Sequence, residues 1–182
     1  MGARRRCSSP PTTSSSIGSS VSARRVREYT TRVAQVCSRL NDAGARYLVV
    51  GATAMHLWGT TRATRDVDVL IEPTIENAER VLQALSTMGF GIAAEYRAQD
   101  VISHVVTMIG DTPNVDILTR AWNLKWDEAS VKVVVFDVEG VPVPTPSLAN
   151  LIESKRTGRL QDEADVQVLE AIRERRGISG SE

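Results

Sequence analysis

The stretch Arg62-Ala63-Thr64-Arg65-Asp66-Val67-Asp68-Val69-Leu70-Ile71 decides the fold, with Tyr47-Leu48-Val49-Val50-Gly51-Ala52 just ahead of it. From Asp66 to Ile71 β-branched residues dominate and polar and apolar positions alternate, which predicts a strand. Successive strand side chains point to opposite faces, so Asp66 and Asp68 share one side, and Val67, Val69 and Ile71 offer an apolar side to a core. Two carboxylates on one face repel each other unless a cation or a shared proton relieves them. A divalent metal held for a phosphate substrate would do so, because hard cations take oxygen ligands. The plainer alternative is a solvated sheet edge that carries two aspartates.

Upstream, Tyr47 to Val50 reads as a short buried strand. Gly51 marks a sharp turn, and Ala52 to Trp58 a short helix ending at Gly59. A strand running into glycine and then a helix start leaves free backbone N–H groups where an anion could sit. Ahead of this unit, apolar residues from Val26 to Leu40 recur at helical spacing, predicting a helix over 23–43 stopped by Gly44.

Downstream, Thr74 or Glu76 opens a helix with Ile75, Ala78, Val81, Leu82 and Leu85 on one face, closed by Gly89. Residues 90–94 read as an edge strand. Segments 101–109 and 114–118 read as a hairpin about Gly110-Asp111-Thr112-Pro113, and 131–137 with 141–143 as a second about Glu139-Gly140. Two helices follow, over 147–157 and 160–175. This order predicts an α+β (mixed α/β) domain: a tail over 1–22, a core over 23–145, a C-terminal helical subregion over 146–176 and a tail over 177–182.

At 182 residues the chain can bury one ordinary core. No apolar stretch is long enough to span a bilayer, so a soluble, cytoplasmic protein without a membrane partner is expected. Cys7 and Cys37 are the only cysteines, which indicates neither a disulfide framework nor a thiolate zinc site and fits a reducing compartment. Basic and acidic residues balance at 22 each, yet the first 27 residues hold six arginines and no acid. The remainder therefore carries a net charge of −6, which argues against broad electrostatic capture of nucleic acid. The Ser-, Pro- and Arg-rich start cannot bury enough apolar surface to offset its ordering entropy. It reads as a disordered tail, or a start assigned too far upstream, rather than a transit peptide.

Asp116, within Val115-Asp116-Ile117-Leu118, is the third acid of interest. An aspartate buried unpaired among β-branched residues is costly, so it should meet a cation, meet donors or face a cleft. Solvent exposure on a strand is the alternative. If its strand lies beside the Asp66 strand, three carboxylates converge as in a two-metal site for phosphoryl transfer.

Gly51-Ala52, the gap to Asp66-Val67-Asp68, and the later Asp116 together resemble the signature of the DNA polymerase β-type nucleotidyltransferase superfamily. The stretch from Pro144 to Lys155, followed by Arg159, Asp162 and Asp165, resembles small prokaryotic nucleotidyltransferase-like proteins grouped with AbiEii-type toxins. The likeness covers roughly residues 46–172. It implies a nucleotidyltransferase-type sheet with flanking helices and a C-terminal helical pair. By resemblance, Asp66, Asp68 and Asp116 would ligate two Mg²⁺ or Mn²⁺ ions, with Asp116 also helping to deprotonate the acceptor. Gly51 and Ala52 would admit the triphosphate, Lys155 would reach phosphate oxygens, and Arg65 could balance nucleotide charge. Ala52 departs from the pattern, since Gly or Ser is usual there and a hydroxyl contact is lost.

The reaction implied is transfer of NMP from an NTP to an acceptor hydroxyl with release of pyrophosphate. The acceptor could be an RNA end such as a tRNA, with an antitoxin partner in a toxin–antitoxin or defence setting; a protein hydroxyl or a small molecule remains open. A catalytically silent nucleotide-binding or regulatory module of the same fold is the rival. A metal-dependent phosphohydrolase would need histidines near the acids, and His56 and His104 do not fall suitably. Arg62 and Arg65 pair with surface acids in the plainer reading, and His56 is packed or exposed. Arg159 and Asp162 tie the terminal helices together, while Asp165 is exposed. Trp122 and Trp126, at i and i+4, share a helix face and pack in the core.

Overall fold

The computed structural model describes residues 17–60 and 64–178. Arg62 and residues 1–16 and 179–182 of the expected tails lie outside the described residues. The helix α1 (Ile17–Asp42) leads into β1 (Tyr47–Val49), α2 (Gly51–Trp58), β2 (Val67–Ile71) and α3 (Ile75–Ser86). A 3₁₀ turn (Ile92–Glu95), α4 (Ala98–Ser103), β3 (Val106–Ile109) and β4 (Val115–Leu118) follow. The short β5 (Arg120–Ala121), β6 (Leu124–Lys125) and α5 (Trp126–Ala129) precede β7 (Val133–Val138), β8 (Val141–Pro146), α6 (Leu148–Ser154) and α7 (Leu160–Arg176). This is a mixed α/β domain, as the order of sequence periods implies. Among the described residues, no helix is long and apolar enough to cross a membrane.

Four strands form a sheet in the order β1-β2-β4-β3; β2 and β4 run parallel and the outer pairs antiparallel. One face, with Val67, Val69, Ile71, Val115 and Ile117, is sealed by α1 and α3 through residues such as Val36, Leu40, Val81 and Leu85. Each such side chain contributes about 1.5–3 kcal/mol by leaving water. On the other face Leu48, Leu70 and Leu118 are covered by Ala121, Leu124 and Ala129. Asp68 and Asp116 lie one residue pair further along that face. A third cluster packs Ala54, Met55 and Trp58 of α2 against Leu148, Leu151 and Ile152 of α6 and Leu169 and Ile172 of α7. The helical pair thus carries α2 on its back.

Several local expectations change in three dimensions. α1 begins at Ile17, so it includes residues 17–22 that were assigned to the tail. Residues 90–94 are no strand: Gly89 and Gly91 take φ of +53° and +75°, and the Asp111 carboxylate accepts from the Phe90 and Ile92 N–H groups. Those bonds curl the chain into the 3₁₀ turn, and they hold the Asp111 carboxyl below its usual range. Residues 101–103 belong to α4, while the hairpin of β3 and β4 about Gly110–Pro113 forms as its turn residues imply. β8 runs on to Pro146 because its prolines fall at every second residue, 142, 144 and 146. Their missing N–H groups then all lie on the side away from β7. Trp122 and Trp126 do not share a helix. Trp122 sits at φ +53° in the two-residue turn between β5 and β6, and Trp126 opens α5.

Candidate active site

Asp68 and Asp116 are register partners on the parallel strands β2 and β4, at the neighbouring-strand spacing of about 4.8 Å. Asp66 lies just ahead of β2, where its Oδ1 accepts from Asn114 Nδ2 at 3.1 Å. Burial pushes the Asp68 carboxyl up to about 6; the charges of Asp116 and Asp66 add to this, while Lys155 and the Ala52 N–H pull the other way. The Asp116 carboxyl is likewise raised, by burial first and then by Asp66.

Gly51 belongs to the same unit. It takes φ +62°, and a Cβ built there would stand 2.1 Å from Asp68 Oδ2. Val50 N–H donates to the Asp68 carbonyl at 3.0 Å, which presses the start of α2 onto β2. Only glycine allows this approach, for its left-handed φ and for its missing side chain. The Ala52 N–H acts on the Asp68 carboxyl and pulls its pKa down.

The other expected residues are placed differently. Arg65 is exposed, and its backbone carbonyl accepts from Arg32 Nη1 at 3.2 Å. Lys155, expected to reach phosphate oxygens, is 4% exposed at the C-terminus of α6. Its Nζ lies 3.1 Å from Asp162 Oδ1 and 3.0 Å from Asp165 Oδ2, and 5.3 Å from the centre of the Trp122 ring. Asp162 thus ties the terminal helices, as expected. Asp165 is buried rather than exposed, because the lysine brings it in. His56 packs edge-on against Tyr29 at 4.9 Å.

Tyr29, Arg32 and Asn114 gave no functional signal in the sequence. Tyr29 is buried with its hydroxyl near Thr53, and its pKa is raised by burial and further by Asp68. A tyrosine at core spacing on α1 reads only as packing, and nothing local tells that it lies beside an acid.

The three aspartates are oxygen donors of the kind a hard divalent cation takes, and the raised carboxyls report charge that a cation would neutralise. Still, among the described residues no group of three or more acid, histidine or cysteine side chains is arranged to hold a metal ion. The expected convergence is therefore incomplete: Asp68 and Asp116 stand together, while Asp66 is engaged by Asn114.

No family model matches the chain, and no curated protein matches it. Among solved structures, the chain is similar to an antigenic nucleotidyltransferase-like protein from Paracoccidioides brasiliensis. The TM-score is 0.54 at 15% identity, covering 80% of this chain and 75% of that one. It also aligns with a Thermotoga maritima protein provisionally described as a nucleotidyltransferase. There the TM-score is 0.49 at 16% identity, over 83% of this chain and 94% of that one. At these identities the first likeness establishes a nucleotidyltransferase-like fold.

Proposed function

We propose that this chain is a metal-dependent nucleotidyltransferase that moves NMP from an NTP to an acceptor hydroxyl. The observation that carries the reading is the in-register pair Asp68 and Asp116 with the Gly51 turn pressed against it. The acceptor oxygen bonds to the α-phosphorus, the bond to the bridging oxygen breaks, and pyrophosphate leaves. Asp116 takes the acceptor proton, since its raised proton affinity suits a base that must receive one. Asp68 and Asp116, joined by Asp66 once it leaves Asn114, would hold Mg²⁺ or Mn²⁺. Two bound ions would neutralise charge on the triphosphate and the leaving pyrophosphate. The Gly51 turn sets the start of α2 against Asp68, and the triphosphate would approach beside that packed unit.

The stretch from Pro144 to Lys155, followed by Arg159, Asp162 and Asp165, supports likeness to AbiEii-type toxins. An RNA end, and an antitoxin partner, are accordingly the first acceptor and the first partner to test. A catalytically silent nucleotide-binding module is the second reading, favoured by the Ala52 N–H and the Lys155 charge both being engaged within the protein.

Transfer of α-³²P from each of the four NTPs, with Mg²⁺ or Mn²⁺, separates the two. Pooled tRNA, the protein itself and aminoglycosides serve as acceptors, with Asp68→Asn as control. Label on one acceptor, lost in the variant, is the expected result. NTP binding by calorimetry without transfer to any acceptor would favour the silent module, and neither binding nor transfer would overturn both.

A further inference from the structure

We propose that Lys155 is a positioning residue: with the buried carboxylates of Asp162 and Asp165 and the ring of Trp122 it forms a lock that fixes the two supports of the acid site relative to each other. The lock joins three elements. Lys155 caps α6, Asp162 lies in the first turn of α7, Asp165 follows one turn on, and Trp122 belongs to the β5–β6 turn. Thr157 Oγ1 donates to the second Asp162 oxygen at 2.5 Å, and Asn123 Nδ2 donates to the Arg156 carbonyl at 3.2 Å. Asp162 also sits at the N-terminal end of α7, where a carboxylate suits the helix dipole.

The elements so joined are those that hold the site. β5 starts two residues beyond Leu118, the last member of β4, and four beyond Asp116, and it leads straight into the turn at Trp122. The α6–α7 pair carries α2 through the Met55, Trp58, Leu151 and Leu169 cluster, and α2 begins at Gly51. A shift of α6 against the β5–β6 turn would therefore move Gly51 relative to Asp116. The lysine charge is already shared by two carboxylates near 3 Å with little exposure, so direct phosphate contact would break bonds that burial makes expensive.

The test compares wild type, Lys155→Met and the neutral triple variant Lys155→Met/Asp162→Asn/Asp165→Asn, all as full chains. The probes are the four α,β-methylene NTPs with Mg²⁺, titrated by calorimetry, alongside melting and hydrogen exchange. Lys155→Met strands two buried carboxylates, so Tm should fall by about 10 °C, with most of this recovered in the triple variant. At a temperature where every variant is folded, Lys155→Met should weaken nucleotide binding about tenfold, and the triple variant should recover it. A stable triple variant that still fails to bind would make Lys155 a phosphate ligand and overturn the lock. Lowered Tm with unchanged binding and unchanged exchange would make it structural only, and also overturn it.

The binding readout rests on the transfer reading; the exchange readout does not. If wild type binds no NTP, that reading fails and the lock is judged by exchange alone. Loss of protection over residues 51–58 and 115–125 in Lys155→Met, restored in the triple variant, supports it. Equal protection in all three overturns it.

Discussion

Gly51 and Asp68 occupy one another's space: the carboxylate oxygen Oδ2 stands where residue 51 would carry its Cβ. The turn that starts α2 and the strand that carries the acid therefore form a single packed unit. Gly51→Ala should destabilise the protein by about 2 kcal/mol or more, from the left-handed φ alone plus the displaced carboxylate. Urea unfolding measures this, and an unchanged midpoint would mean that Asp68 swings away at no cost.

The raised Asp68 carboxyl has a definite pH signature. Its folded value, about 6, lies above the ordinary carboxyl value of 3.8. Any stability it confers is thus fully present below pH 4 and lost as pH rises through 6. The loss amounts to about 3 kcal/mol. In metal-free buffer Asp68→Asn should therefore match wild type near pH 4 and exceed it at pH 7.5. Denaturation at the two pH values checks the sign, and a variant no more stable at pH 7.5 would show that burial and the neighbouring acids do not strain the Asp68 carboxylate.

Mg²⁺ or Mn²⁺ should relieve the same repulsion. At 100 times its Kd the ion raises wild-type stability by about 2.7 kcal/mol, and Asp66→Asn with Asp68→Asn should abolish the shift. Melting with and without the ion is sufficient. A wild type indifferent to both ions would remove the metal site from the proposal.

Leu169 of α7 is fully buried where α2, α6 and α7 meet. Leu169→Ala should cost about 2–5 kcal/mol, by the lost transfer and the cavity left behind. Because this cluster carries α2, exchange protection of Gly51–Trp58 should fall with it. Undisturbed protection there would separate α2 from the helical pair.

What the sequence by itself determined is local. Alternation over 66–71, apolar spacing on α1 and α3, and glycines at 44, 51 and 59 are properties of neighbouring residues, and they foretold strands, helices and turns within a few positions. The same short range explains the failures. Residues 90–94 look extended until the Asp111 carboxylate, about twenty residues away in sequence, gathers their N–H groups. Trp122 and Trp126 fit a helical spacing that a two-residue turn breaks. Only the tertiary structure decided that Asp68 meets Asp116 across 48 residues of chain, that Asp66 turns to Asn114, and that Lys155 faces two acids. Charge acts through space rather than along the chain. A carboxylate or a lysine is the same letter whether it ends beside a partner, a rival or water, and only packing selects which.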